Sequence, residues 1–277
     1  PGFRLMEETE GMLLKDEALE SSSDQEYGKK DKEPFCKVVD MFTNDRNDDE
    51  LQKLILQLFE FSRANPNPER WLESLVDIYD IGDDQKVEDL PFIEPFLYDL
   101  ELQLNEAKRL FEEALELTRQ PGGPDKRAEN FEKDIQLVNL LLKAKDESFQ
   151  ILYDAFQNVS FSRLKSCRGD EYLEELVEKS KTLREQGKKI ITKLKEDLFS
   201  RKPETYLNDL RAMKEPVRTL VNLVRGFSQK FSELKKEKGL VDFSDLEHYA
   251  LQILGTPNEN GELIPTEAAL SYQKQFK

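Results

Sequence analysis

Between residues 161 and 169 the chain reads Phe-Ser-Arg-Leu-Lys-Ser-Cys-Arg-Gly, placing the cations Arg163, Lys165 and Arg168 on one short segment behind an aromatic. Cations in such a segment suit phosphate contact, because they neutralise backbone charge and release counterions without reading a sequence. Lys188 and Lys189 extend the positive stretch. The balance is local. Residues 1–150 hold 37 acids against 19 bases, whereas residues 151–240 hold 20 bases against 14 acids, in a chain of net charge −16. At physiological ionic strength fields decay over about 8 Å. A basic face can therefore meet phosphate while the acidic half lies out of range. The competing reading is an ordinary salt-bridged helical surface.

Other chemistry is poorly supported. A phosphate-cradling loop needs Gly-x4-Gly-Lys-Ser/Thr, yet Gly28-Lys29 and Gly187-Lys188 lack both the upstream glycine and the hydroxyl residue. Asp170-Glu171-Tyr172 follows Arg168-Gly169 rather than an apolar strand, so it reads as an acidic helix start suited to the helix dipole. His248 has no nucleophile beside it. Cys36 and Cys167 are too few for a disulfide framework, and with His248 they make no metal set. No catalytic, cofactor or metal site is expected in this chain, and a reducing cytoplasm is the default compartment. No run of about 18 apolar residues is present, so no membrane span is expected.

The elements that would position the basic segment are helical. Although 35% of residues are charged, apolar residues recur at helical spacing over long stretches, as in solvated amphipathic helices. Residues 5–20 form a short helix, and Ser21 to Asp31 is expected to be loose. Asn47 or Asp48 caps a helix carrying Leu51, Leu54, Ile55, Leu58 and Phe61. Asn67 then acts as an N-cap with Pro68 at the first helical position, where its missing N–H is harmless. Phe92 to Arg119 is a long helix broken by Pro121-Gly122-Gly123-Pro124. A second long helix runs from Phe131 to Phe156, and the two suggest an antiparallel hairpin. Asp170 to Phe199 reads as one helix with the stripe Leu173, Leu176, Ser180, Leu183, Gly187, Ile190, Leu194 and Leu198. Tyr206, Leu210, Met213, Val217, Leu220, Val224, Phe227, Phe231 and Leu234 step by four and three, a heptad seam in which Pro216 is expected to kink or break the helix near Glu215, the kept phase favouring a kink. After Gly239, Ser244 and Glu247 stand at capping-box spacing, the helix is expected to bury Leu246, Tyr249, Ala250, Ile253 and Leu254, and Gly255 stands at the C′ position. Convincing strands are absent. The fold class is all-α: an elongated multi-helix domain with long antiparallel hairpins and a heptad-patterned helix, plus a small helical piece at the C-terminal end.

Lys238-Gly-Leu-Val-Asp-Phe-Ser-Asp-Leu246, preceded by a long helix, resembles a segment of UvrD/Rep/PcrA-like superfamily 1 helicases. There an Asp-Phe-x-Asp-Leu element re-enters the first motor domain after the accessory 1B insertion. The matching positions are Asp242, Phe243, Asp245 and Leu246; Ser244 stands where relatives often carry an acid. The stretches Pro1 to Glu10, Val38 to Arg46, Leu54 to Leu72 with its Asn-Pro-Asn-Pro-x-x-Trp, Phe161 to Leu164 and Glu196 to Arg201 resemble the AddA family of helicase–nuclease proteins.

The resemblance implies an internal piece of a bacterial ATP-dependent enzyme that unwinds and degrades DNA at double-strand breaks for recombinational repair. Residues 1–33 would lead in from the motor domain, 34–238 would be a 1B-type accessory domain, and 239–277 would return to motor domain 1A before its Walker B strand. ATP and magnesium would bind outside this piece. The implied partners are duplex ends, single-stranded DNA and an AddB-type subunit, with the piece itself monomeric. In that setting Arg163, Lys165, Arg168, Lys188 and Lys189 are the candidates for holding duplex phosphates. The alternative is a stand-alone coiled-coil scaffold or adaptor that associates through the heptad seam.

Overall fold

The computed structural model describes residues 2–43, 49–258 and 263–275, and helix dominates them. They form α1 (Glu8–Tyr27), α2 (Glu33–Phe42), α3 (Asp49–Arg63), α4 (Pro68–Asp77), α5 (Ile93–Thr118), α6 (Ala128–Glu147), α7 (Phe149–Gln157), α8 (Glu174–Leu198), α9 (Pro203–Glu237), α10 (Phe243–Leu254) and α11 (Glu267–Gln275). Two minimal sheets accompany them: β1 (Arg4–Leu5) lies parallel to β2 (Leu240–Val241), and β3 (Gly255–Pro257) lies antiparallel to β4 (Leu263–Pro265). The chain divides into two compact units, one made of Pro1–Asp80 with Arg211–Lys277, the other of Ile81–Leu210.

The first, discontinuous unit is built on the later part of α9. Leu220, Val224, Phe227, Phe231 and Leu234 are each no more than 7% exposed, and they share a core with Leu14, Val38, Ile55, Phe59 and Leu72 from α1 to α4. Phe59 meets Phe227 edge-on at 5.0 Å and Phe231 at 5.8 Å, the arrangement that ring quadrupoles favour. This part of the heptad seam is thus filled from within the chain. A coiled-coil scaffold would need the same residues for a second copy. α9 is unbroken at Pro216, although the proline ring removes the N–H that the Ala212 carbonyl would accept.

The two ends of the discontinuous unit are stitched together by β1 and β2. Arg4 N–H donates to the Gly239 carbonyl at 2.9 Å and Met6 N–H to the Val241 carbonyl at 2.8 Å. Gly239 has φ +62, and a Cβ there would lie 2.9 Å from the Gly2 carbonyl oxygen. Only glycine takes this left-handed turn beside another backbone without strain.

The second unit packs α5 against α6 and α8. Its core holds Leu100, Leu104 and Phe111 of α5, Val138 and Leu141 of α6, Leu152 and Phe156 of α7, and Ile191 and Leu194 of α8. Phe156 stacks on Phe199 at 4.1 Å. Gly187 of α8 lies against Phe111, so close that a Cβ would come within 2.6 Å of the ring. The glycine in the apolar stripe of α8 therefore sets how near α5 and α8 approach.

Several boundaries differ from the sequence reading. α1 runs through Ser21, Ser22 and Ser23 to Tyr27, because Leu14, Ala18 and Leu19 anchor the helix to the core. The helix expected from Phe131 to Phe156 is two, since Ser148 leaves helical dihedrals and its hydroxyl accepts from Ile151 N–H, capping α7. α8 starts at Glu174, not Asp170. Gly255 is extended and begins β3 instead of taking the left-handed C′ turn. Asn67 does cap α4, accepting from Arg70 N–H at 3.0 Å. The proposed caps Asn47 and Asp48 lie outside the described residues.

Candidate nucleic-acid interface

The segment between α7 and α8 has no regular structure. Its carbonyls cannot be met by a helix ladder, and buried backbone polar groups need partners. Three buried side chains supply them. Arg127, 6% exposed, donates from Nε to the Lys165 carbonyl at 3.0 Å, and from Nη1 to the Val177 carbonyl and the Ser180 hydroxyl at 2.6 and 3.0 Å. Asn130 donates to Ser162 Oγ at 2.8 Å and the Arg163 carbonyl at 3.2 Å, and accepts from Lys165 N–H at 3.2 Å. Arg184 donates to the Ser162 carbonyl at 2.9 Å. Arg184 is itself held by Asp134, Nε to Oδ2 at 2.6 Å. Burial pushes the Asp134 carboxyl above the ordinary carboxylate range, and the Arg184 guanidinium opposes that rise. The loop is therefore clamped by its backbone, which leaves its side chains free to point elsewhere.

The five candidate cations then separate. Lys165 is held by Glu129, Nζ to Oε2 at 2.5 Å, a carboxylate it shares with Lys133. Hydrogen bonds from Lys133 and Lys165 hold Glu129 down at about 2, so this carboxylate stays charged at any working pH. Lys188 pairs with Glu185 at 3.1 Å and sits 5.7 Å from the Phe161 ring centre. Arg163, Arg168 and Lys189 are exposed and form no ion pair with any described residue. A phosphate could meet these three without displacing a carboxylate.

The helicase-element residues occupy a different place, the start of α10. Asp242 is the N-cap, accepting from Asp245 N–H at 2.7 Å, while Asp245 reaches back to Asp242 N–H at 3.0 Å. The capping box is Asp242 with Asp245, not Ser244 with Glu247. Leaving β2, Asp242 already has the extended dihedrals a cap requires. Lys235, 5% exposed, bonds to Asp242 at 2.7 Å and to Asp245 at 2.5 Å. Arg63 reaches Ser244 and Asp245, each at 3.0 Å. Burial would raise Asp242, but the Lys235 ammonium and the Asp245 backbone N–H outweigh it and hold the carboxyl below its usual range. His248 Nε2 lies 2.9 Å from the Arg63 carbonyl oxygen. Every charge here has a partner, so the element is an anchor for the α10 N-terminus. Phe243 and Leu246 are 70% and 39% exposed, and the expected burial of Leu246, Tyr249, Ala250, Ile253 and Leu254 is not found, since α10 buries none of its residues.

Glu171 pairs with Lys126, and Tyr172 donates to Asp125 at 3.1 Å, all on the surface. Gly187-Lys188 is inside α8 and Gly28 follows the end of α1, so neither offers the open N–H cradle that nucleotide phosphates need. Among the described residues no group of three His, Cys, Asp or Glu could hold a metal. No helix of the described residues is long and apolar enough to cross a membrane. Sequence reasoning missed Arg127, Asn130, Asp134 and Arg184. The available signal was Ser180, a polar residue within the α8 stripe that is wholly buried and accepts from Arg127.

No protein-family model matches the chain. It is 47% identical over 277 residues to the AddA subunit of the ATP-dependent helicase/nuclease of Bacillus pumilus, and 47% over 276 residues to the protein of that name in Bacillus licheniformis. The corresponding protein of Bacillus velezensis is 44% identical over 276 residues. Each alignment takes in the whole of this chain and 22% of the relative. Along its entire length the chain is thus similar to one stretch of AddA, the ATP-dependent helicase/nuclease protein of Bacillus species.

Proposed function

We propose that this chain works as the accessory, 1B-like region of an AddA-type ATP-dependent DNA helicase and nuclease that acts in double-strand break repair and recombination. Residues 34–238 are the accessory region, within which Ile81–Leu210 is a separately compact body; residues 1–33 and 239–277 belong to the motor domain. ATP, magnesium and both hydrolytic activities lie in other parts of the enzyme, which functions in the bacterial cytoplasm with an AddB-type subunit. The exposed apolar side of α10, with Phe243, Tyr249 and Ile253, suits packing against further parts of the motor.

The role of the accessory region is to hold duplex DNA by its phosphates. The observation that carries this reading is the clamped loop, whose buried partners fix the backbone while Arg163 and Arg168 stay exposed and unpaired among the described residues. Such contacts add affinity without sequence readout. Replacing Arg163, Arg168 and Lys189 by alanine in the full-length protein is expected to weaken duplex-end binding. The dependence of log K on log salt should flatten by about 0.9 for each phosphate no longer neutralised. An unchanged slope would dismiss the loop as a DNA contact.

A further inference from the structure

In the second unit the apolar core opens to solvent at one pocket of about 300 Å3. The residues leading into α5, the first residue of α7, the end of α8 and the start of α9 enclose it. Leu90, Ile93 and Phe149, each no more than 7% exposed, belong to the core and also line the pocket. Phe92, 41% exposed, and Tyr206 add aromatic surface. Two charged side chains line it, Asp197 and Asp209, and both are acids. Asp209 is engaged by Arg201 at 2.6 Å, and the Arg201 guanidinium also lies 5.4 Å from the centre of the Tyr206 ring. Asp197 is exposed and forms no ion pair with any described residue. The chain leading into α5 adds to this charge, since residues 83–94 hold five acids and one base.

We infer that this pocket docks a partner protein through a segment that carries one large apolar side chain beside lysine or arginine. Water inside an apolar pocket finds few hydrogen-bond partners, so an apolar side chain displaces it favourably. The volume lies at the lower end of the range for ligand sites. It suits a single anchor such as phenylalanine or tryptophan, the kind of buried contact that dominates interface energy. The acids decide what flanks the anchor. They repel phosphate, so the occupant is not nucleic acid, and they attract a cation placed next to the anchor. A surface covered permanently by the same polypeptide would be broad and apolar. A single pocket amid exposed charge suits a reversible contact with a separate protein.

The inference does not rest on the DNA contacts proposed above. Random peptides displayed on phage and selected on the 277-residue chain should enrich sequences with an aromatic or large aliphatic residue next to lysine or arginine. An enriched peptide carrying a dye should bind by anisotropy, and more weakly as salt rises. Asp197→Lys, a change at an exposed site, should leave thermal unfolding unmoved yet weaken binding on the order of tenfold, and Asp197→Asn should weaken it by less. Phe92→Ala should cost a similar factor, while alanine at Arg163 and Arg168 should cost nothing. The full-length protein should bind the peptide as tightly as this chain does. No enrichment, enrichment without basic residues, or equal binding by Asp197→Lys would each overturn the inference. If the full-length protein does not take the peptide, the pocket is filled by its own polypeptide. If the chain self-associates and Phe92→Ala abolishes it, the occupant is a second copy. Either result defeats the partner reading.

Discussion

Arg184 and Asp134 form a buried ion pair, Nε to Oδ2 at 2.6 Å and Nη2 to Oδ1 at 3.2 Å, with side chains 2% and 3% exposed. The pair ties α8 to α6, and the second bond of Nη2, to the Ser162 carbonyl, ties both to the loop that carries Arg163. Two charges have been taken from water to hold one stretch of irregular backbone. Such a pair is a weak source of net stability but a costly thing to break halfway.

Asp134→Ala is therefore expected to destabilise the second unit by about 3 to 5 kcal/mol, because it leaves the Arg184 guanidinium buried without its counter-charge. Arg184→Met with Asp134→Leu, which removes both charges, should recover most of that loss. Denaturant titration followed by circular dichroism measures both. If the single and double variants unfold alike, the pair is not the clamp described.

Gly187→Ala should cost about 1 to 3 kcal/mol, the range for overpacking a filled core, since the new methyl would lie 2.6 Å from Cε1 of Phe111. Phe111→Leu in the same chain should relieve part of the cost, so the two changes would be less than additive. Thermal unfolding of the two single variants and the double variant tests the coupling. Full additivity would mean that α5 and α8 adjust without strain.

Much of this architecture was legible in the sequence. The steps of three and four from Leu97 to Ala114 fix the buried side of α5, and Asn67 with Pro68 marks the start of α4, as the structure confirms. Other features were not legible, for identifiable reasons. β1 and β2 are two residues each and pair Arg4 with Leu240; no periodicity exists in two residues, and nothing local signals so distant a partner. The α6–α7 break turns on one serine hydroxyl inside an otherwise continuous apolar pattern. At α10 both Asp242 with Asp245 and Ser244 with Glu247 have capping-box spacing, and the choice is made by where β2 ends and by Lys235. At the candidate interface, charge composition found the basic loop but could not tell Arg163, which is unpaired among the described residues, from Lys165, which is paired with Glu129. That distinction depends on which acid α6 brings alongside.

Asp242→Ala should destabilise the first unit by more than Ser244→Ala. The first loses a cap, worth about 0.5 to 2 kcal/mol, and one of the two carboxylates that bond Lys235. The second loses only an acceptor for Arg63. Trp71 lies in this unit, so its fluorescence during urea unfolding compares the two variants directly. A larger effect at Ser244 would return the cap to the position first expected.

The strongest test of the loop as a phosphate contact is a gain of function. Glu129 pairs with both Lys133 at 2.8 Å and Lys165 at 2.5 Å, one carboxylate shared by two ammonium groups. Those hydrogen bonds lower its carboxyl to about 2. Because the folded value is depressed, the favourable interaction is fully present above the ordinary carboxylate range and is lost only as pH falls from there towards 2. Between pH 6 and 8 the carboxylate stays charged, so Lys165 stays paired, and DNA affinity should owe no pH dependence to this group. Glu129→Gln removes the charge without changing the shape. Lys165 then becomes available beside Arg163 and Arg168, and duplex binding should tighten, with the salt slope steeper by about 0.9 for the extra phosphate neutralised. Lys165→Ala should be nearly silent in the unaltered protein, yet should cancel the gain when combined with Glu129→Gln. Filter binding or anisotropy across a salt series gives all four slopes. If Glu129→Gln leaves both affinity and slope unchanged, no phosphate lies within reach of this loop.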